Sequence, residues 1–329
     1  MDSKEKIAEY LDERVIEDLD LVEEVIFQNL DSDVELMEEM TQYLLKAGGK
    51  RVRPAFVLLA FRAVGGEDIG SVIPIAAAIE LIHTATLIHD DINDSSSTRR
   101  GLASVNRKYG LSRALVAGDF TFVKAFRIGG AYEWDIVKII ADACSDLAEG
   151  EVLQSMNRYN TALTLEEYGR TIGKKTASLI SACGAVGAKL GGASEEVVRS
   201  MSDYGYNLGM TFQIIDDIID LEGDDSKTGK TRGSDIREGM MSVPLIRAIS
   251  VLEPKKREVL TGLILKKDSS HDEIKEAVLL VMETDALAFS RKLAEEYGSK
   301  ARKALDTLPE SDYKENLSML IDAVMERDY

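Results

Sequence analysis

Apolar residues recur at helical spacing along nearly the whole chain, and the pattern predicts a succession of helices joined by short breaks. Ile7, Leu11, Val15 and Leu19 mark one amphipathic segment within residues 4 to 47. Leu36, Met40, Tyr43 and Leu44 mark a second, after a break at Asp31-Ser32-Asp33. Gly48-Gly49 stops that helix, and Pro54 suits the first turn of the next, Ala55 to Val64. Beyond the loop Gly65-Gly66-Glu67-Asp68, a long apolar helix runs from Val72 to His89. Ala114 to Ile128 reads as another, broken by Gly118-Asp119. Val137 to Gln154, Leu165 to Leu190 and Val197 to Ile219 continue the pattern. Gly223 to Gly239 is a glycine-rich charged loop, and amphipathic helices resume at Val243, with turns near Asp268 to His271 and Pro309 to Asp312. No strand-type alternation, low-complexity tract or short-period repeat appears. The pattern predicts an all-α protein.

Composition agrees. Hydrophobic residues make up 45% of the 329, and five prolines rarely interrupt helices. A net charge of −18 opposes nucleic-acid binding, which needs a basic surface. Cys144 and Cys183 sit among small apolar residues and read as buried thiols; with only three histidines a zinc site is not expected. The N-terminus, Met1-Asp2-Ser3-Lys4-Glu5, has no signal-peptide core. No run of about 18 residues is apolar without charge, so no transmembrane helix is expected, and the expected location is the cytoplasm.

Chemistry concentrates in two stretches, Asp90-Asp91-Ile92-Asn93-Asp94 and Asp216-Asp217-Ile218-Ile219-Asp220. Each follows an apolar run, and on a helix the first and last aspartates share a face one turn apart. Like charges at that spacing destabilise a helix unless compensated. A hard divalent cation compensates, because Mg²⁺ takes one or two carboxylates plus waters and phosphate oxygens. Basic residues accompany the stretches. Gly48-Gly49-Lys50-Arg51-Val52-Arg53-Pro54 reads as a phosphate-binding corner near a helix N-terminus. Arg99-Arg100 follows the first acidic stretch and matches phosphate geometry. Lys174-Lys175-Thr176 lies within an apolar helix, where a lysine needs an anionic partner. Two other motifs fail in the loop after Asp220. Gly223 to Thr231 imitates a Walker A loop but has one residue too many between its glycines and follows a helix. Asp224 to Asp235 imitates a calcium loop but carries Ser226 and Thr228 where Asp or Asn is expected, and Lys227, Lys230 and Arg232 oppose cation binding.

With these residues in place, the chain resembles the trans-type (all-E) polyprenyl diphosphate synthases over nearly its whole length. The landmarks stand in family order: Gly48 to Pro54, the first acidic stretch with Arg99 and Arg100, Gly118-Asp119, Glu149-Gly150-Glu151, Lys175-Thr176, Phe212-Gln213 before the second acidic stretch, then Lys230, Asp235 and Pro244. The resemblance implies one domain, residues 1–329: a single large antiparallel helix bundle around a central apolar cavity, usually as a homodimer. It implies head-to-tail joining of isopentenyl diphosphate to an allylic diphosphate. Asp90, Asp91, Asp94, Asp216 and Asp220 would hold about three Mg²⁺ on the allylic diphosphate. Asp217 is expected among the catalytic residues with them. Arg99, Lys175 and Lys230 would complete neutralisation of the leaving group, while Lys50, Arg53, His83 and Arg100 match the isopentenyl diphosphate site. Thr176 and Gln213 match residues whose oxygens face the allylic cation, and the departing diphosphate takes the last proton.

Four positions depart from the family pattern. Met240 stands where a lysine is usual, which puts loop closure in question; Asn106, Ser97 and Thr231 replace a frequent His, Asp and Pro. Product length is read one turn before Asp90, where Ala85 and Thr86 are small and form no floor. Each further turn adds ~5.4 Å, about one isoprene unit, so products of C20 or longer are expected. Leu81, Ile82 or Phe122 would then close the pocket. The competing assignments are a terpene cyclase or squalene-type synthase, which needs no isopentenyl diphosphate site, and a non-catalytic partner subunit, which would lose acidic residues.

Overall fold

The computed structural model describes residues 13–223 and 232–327. These are almost wholly helical and fall into two compact units, one built from Met1–Ala141, Cys183–Met201 and Thr307–Leu317, the other from Asp142–Ala182, Ser202–Asp306 and Ser318–Tyr329. Of the first sequence segment, Ile7 and Leu11 lie outside the described residues.

In the first unit, α1 (Glu13–Asn29), α2 (Glu35–Lys46) and α3 (Val52–Ala63) precede α4 (Ile69–Asn93). The break expected at Asp31 to Asp33 is present. α3 is apolar on every side, which buries a helix all round, and Pro54 to Phe61 are buried without a gap. α4 begins three residues before the expected Val72 and tolerates Pro74 near its start, where few backbone bonds are lost. α1, α3 and α6 (Leu111–Gly129) pack against α4. α4 is long and apolar enough to cross a membrane, yet 72% of its apolar window is buried inside the protein, as befits a core helix. The close approach of α9 (Ser178–Leu190) to α3 requires glycine: a Cβ on Gly187 would lie 2.4 Å from the Val57 carbonyl oxygen.

Details of the first half of the chain and of the Leu165 to Leu190 segment differ from the sequence reading. α6 runs unbroken through Gly118-Asp119; the glycine makes room for the His89 ring, 2.3 Å from where a Cβ would stand. Arg99-Arg100-Gly101 forms a two-strand hairpin, β1 (Thr98–Arg99) with β2 (Leu102–Ala103), leading into the short α5 (Val105–Tyr109). The Leu165 to Leu190 helix is divided into α8 (Leu165–Ile172) and α9 by one π-helical turn, Gly173–Ala177.

α10 (Glu195–Glu222) belongs to the second unit from Ser202 onward, where it supplies Met210, Ile214, Ile215, Ile218 and Leu221 to the core. Tyr168 and Ile172 of α8 pack into that core, as do Val243 and Leu245 of α12 (Val243–Val251). α7 (Trp134–Asn157) passes from the first unit into the second. Gly233 to Gly239, read as loop, contains the short α11 (Ser234–Glu238). Helices α13 (Pro254–Leu265), α14 (His271–Met282), α15 (Ala286–Ala304) and α16 (Asp312–Met325) follow with turns at the expected places.

Candidate active site

In the first unit the basic corner is built between the end of α2 and the start of α3. Arg51, in a left-handed conformation (φ 48°), is the N-cap of α3. All three of its guanidinium nitrogens are engaged: Nη1 with Glu80 (2.8 Å), Nε with Glu23 (3.0 Å) and Nη2 with the Leu45 carbonyl (3.3 Å). Lys50 beside it is exposed, whereas the Arg53 Nε is buried without a hydrogen-bond partner among the described residues. From the hairpin, Arg100 donates to the Leu44 carbonyl (3.3 Å) and to that of Gly48. Gly49 admits this, since a Cβ there would lie 2.9 Å from the Arg100 nitrogens.

His83 completes the group. Burial, and then the charges of Arg53, Arg100, Arg99 and Arg51, hold its pKa well below the usual 6.5. The imidazole is therefore neutral at neutral pH. Burial also lowers the Arg53 and Arg100 guanidinium pKa values, against the raising effect of Glu80. Neither loses its charge near neutrality.

The first acidic stretch ends α4. Asp90 and Asp94 are half-buried, with the Asp94 N–H donating to the Asp90 carbonyl at 2.8 Å. Asp91 points the other way and is fully buried, its Oδ1 accepting from Arg99 Nε (2.9 Å) and Nη2 (2.5 Å). Asn106 donates to the Asp91 carbonyl at 2.9 Å, so this departure from the family pattern caps the end of α4. His89 faces Asp119 at 3.5 Å across Gly118. Along α4, Leu81, Ile82 and Ala85 are buried, and half-buried Thr86 turns its hydroxyl back to the His83 carbonyl at 2.8 Å. Phe122 stacks edge-on with Phe126, 5.0 Å between centroids.

The second acidic stretch lies in the second unit, on α10. Asp216 pairs with Arg327 at 2.8 Å, and that guanidinium rests 4.5 Å from the Phe212 ring centre. Asp220 accepts from the Ser234 and Asp235 backbone N–H groups (3.1 and 3.2 Å) at the start of α11. Asp217 is buried. It accepts from the Tyr168 hydroxyl (2.7 Å), the Val243 N–H (3.0 Å) and Gln213 Nε2 (3.3 Å). Burial pushes its carboxyl up to about 7, although those three donors act to lower it. Gln213 is thereby oriented, and its Oε1 accepts from the Thr176 hydroxyl at 3.2 Å. Asp217, Gln213, Tyr168, Gln154, Met240 and Ser242 line a pocket of about 140 Å³.

The π-helical turn presents Lys174 to Asp146 (2.5 Å) and Glu149 (2.7 Å), and Lys175 to Gln154 (2.5 Å) and Glu151. The anionic partners expected for these lysines are thus supplied by α7. Gly150 lets the two segments meet, as a Cβ there would lie 2.3 Å from the Lys175 nitrogen. Lys230 and Thr231 lie outside the described residues, as does nearly all of the loop imitating Walker A and calcium motifs. Sequence reasoning missed Glu80, Tyr168 and Arg327. Glu80 alone had a signal, being the one acid in the apolar run from Val72 to His89.

The profile of the polyprenyl synthetase family matches residues 34–281. The chain belongs to the polyprenyl synthetase family. It is a prenyl diphosphate synthase with the all-α fold of that family. The octaprenyl diphosphate synthase of Escherichia coli is 37% identical, covering 97% of this chain and 99% of that one. A short chain isoprenyl diphosphate synthase of Methanothermobacter thermautotrophicus is also 37% identical, covering 100% and 99%. Among solved structures, a polyprenyl synthase from Caulobacter crescentus, complexed with calcium and isoprenyl diphosphate, superposes with TM-score 0.92 at 33% identity, covering 99% of this chain and 98% of that one. These synthases differ in chain length by name, so membership of the family leaves product length open.

Proposed function

We propose that the protein extends an allylic diphosphate by head-to-tail addition of isopentenyl diphosphate, giving an all-E prenyl diphosphate of C20 or longer. The observation that carries the reading is the cluster of Arg53, Arg100 and neutral His83 behind the exposed Lys50. It is a cationic site for a diphosphate that stays attached to its carbon, distinct in kind from the carboxylates that serve a departing one. A cyclase or squalene-type synthase has no use for it.

The carboxylates fit Mg²⁺. Asp90 and Asp94 stand one turn apart and half-buried on α4, as do Asp216 and Asp220 on α10. Among the described residues no three acidic, histidine or cysteine side chains form a cage of their own. Such open sets suit an ion that keeps waters and takes substrate phosphate oxygens. We assign Mg²⁺ to Asp90, Asp94, Asp216 and Asp220, with about three ions per site. When bound, Mg²⁺ supplies positive charge against the developing charge of the leaving diphosphate.

The chain's own residues do the rest. Arg99, braced by Asp91, and Lys175, braced by Glu151 and Gln154, present fixed cations to that diphosphate, with Lys230 completing the set. As the allylic C–O bond breaks, the carbonyl oxygen of Gln213 and the hydroxyl of Thr176 face the cation, held by Asp217 so that they need not reorganise. Apolar walls keep water from it. The isopentenyl double bond attacks, a C–C bond forms, and the proton released passes to the departed diphosphate.

Buried Ala85 and half-buried Thr86 set no aromatic floor near Asp90, which supports the long product. We further propose that residues 1–329 act as one catalytic domain in the cytoplasm and as a homodimer. Incubating the purified protein with isopentenyl diphosphate, an allylic primer and Mg²⁺ tests the whole reading. Elongated prenyl diphosphates are expected. A hydrocarbon product instead would indicate a cyclase or squalene-type enzyme, and turnover only with an added protein would indicate a partner subunit.

A further inference from the structure

One buried carboxylate, Glu80, 2% exposed on α4, bonds Arg51 and acts by charge on Arg53 and Arg100. Considered as charge alone, Glu80 is a fault in an anion site, because it lowers the potential that a diphosphate would meet. Its geometry gives it another part. The Glu80 carboxylate takes Nη1 of Arg51 at 2.8 Å, and with Glu23 and the Leu45 carbonyl counted every nitrogen of Arg51 is already bonded within the protein, in a residue only 4% exposed. Arg51 is also the residue that turns the chain into α3 through a left-handed conformation at φ 48°. That conformation is unfavourable for a non-glycine residue and persists only where its surroundings impose it. Lys50 precedes it by one residue and Arg53 follows by two, while the Gly48 carbonyl just before them receives Arg100.

We infer that Glu80 is a positioning residue for isopentenyl diphosphate: through Arg51 it sets the corner from which Lys50, Arg53 and Arg100 reach the ligand. The inference rests on reading this corner as the isopentenyl diphosphate site. Arg51 is then a strut, set apart from the ligand-binding arginines although it lies between Lys50 and Arg53 in sequence.

Charge and position make opposite forecasts for Glu80→Gln. Loss of a negative charge would by itself tighten binding of isopentenyl diphosphate. Release of Arg51 would loosen the corner and weaken it. Calorimetric titration with isopentenyl diphosphate alone, where no primer permits turnover, separates the two. About ten-fold weaker binding is expected for Glu80→Gln, the scale of a charged hydrogen bond lost in a buried site. Glu80→Asp, which keeps the charge and shortens the reach, is expected to lose about three-fold. In steady state the KM for isopentenyl diphosphate should rise in step. The KM for the allylic diphosphate should stay within about two-fold, since Asp90 lies ten residues and so ~15 Å further along α4. Equal or tighter binding by Glu80→Gln overturns the inference, and so does an equal rise in both KM values. If Glu80→Gln does not fold, the Glu80→Asp titration decides by the same criteria. Arg53→Gln is the separate control on the underlying reading. If it leaves isopentenyl diphosphate binding unchanged, the corner is not that site; if it abolishes binding while Glu80→Gln does not weaken it, only the role of Glu80 falls.

Discussion

A carboxylate that is wholly buried and holds an arginine at 2.5 Å has committed one oxygen before any metal arrives, and Asp91 is such a group. Its neighbours Asp90 and Asp94 are half-buried, so identical residues in one short motif divide between the Mg²⁺ ligation proposed above and bracing. Asp217 repeats the division in the second motif. Replacing Tyr168 by Phe removes one of the three donors to that carboxylate, and about 1–2 kcal/mol of stability should go with it, measured by urea unfolding. An unchanged midpoint would show that the hydroxyl does not support Asp217. His83 carries a pH signature. Its folded pKa lies well below 6.5, so below that pH the unfolded chain binds the extra proton and folding loses stability as pH falls. Thermal melts from pH 7.5 to 5 should therefore show a smaller drop for His83→Gln than for the parent, by about the contribution of one histidine. Equal slopes would place His83 in a solvated setting. The residues proposed to meet the ligands were read from spacing and chemical type. Tyr168 and Arg327 were not, and Glu80 showed only as a lone acid in an apolar run, because each acts through a partner 49, 111 or 29 positions away, and no local pattern encodes such a pair.

At the scale of elements, helical periodicity located nearly every helix, and one false break arose where a glycine served packing. Gly118-Asp119 reads as a break because glycine weakens an isolated helix, yet α6 continues because the gap is filled by His89. The contact of α9 with α3 has the same origin and a harder boundary. At Gly187 the obstacle is the Val57 backbone, which cannot rotate aside as a side chain can. Gly187→Ala is expected to cost about 1–3 kcal/mol by denaturant titration; a loss under half a unit would show that α9 shifts freely. α4 also carries the length question. An aromatic ring at Ala85, fully buried one turn and a residue before Asp90, should shorten the products of Ala85→Phe by at least one isoprene unit, ~5 Å. Chromatography of extracted products decides it, and an unchanged distribution would remove Ala85 from the pocket wall.

At the scale of the whole molecule, the surface carries a net charge of −18, yet α6 exposes Leu111, Leu115, Val116, Val123 and Phe126 along its length. Large apolar residues gathered on one exposed helix are the surface of a binding partner more often than of a free monomer. The proposed homodimer gives them one. Val123→Glu with Phe126→Glu should convert the species seen by light scattering to the mass of a single chain, with helix content by circular dichroism retained. A dimer that survives both charges would have to use another face. The sequence pattern could not disclose this surface, since apolar positions on α6 count equally towards a core or an interface until their burial is known.

The π-helical turn at Gly173–Ala177 has a bearing on how the chain can change over evolutionary time. Such a turn is one residue more than an α-helix requires. Removing a single residue there would restore a regular helix from α8 to α9, at little cost to backbone bonding. Every side chain beyond the repair, however, would rotate by about 100° against those before it. Lys175 would swing from Glu151, Thr176 from Gln213, and the small residues of α9 from their groove on α3. A deletion that local energetics would welcome is thus closed off by geometry at both ends. The irregular turn should accordingly persist through drift that freely rewrites the flanking surface.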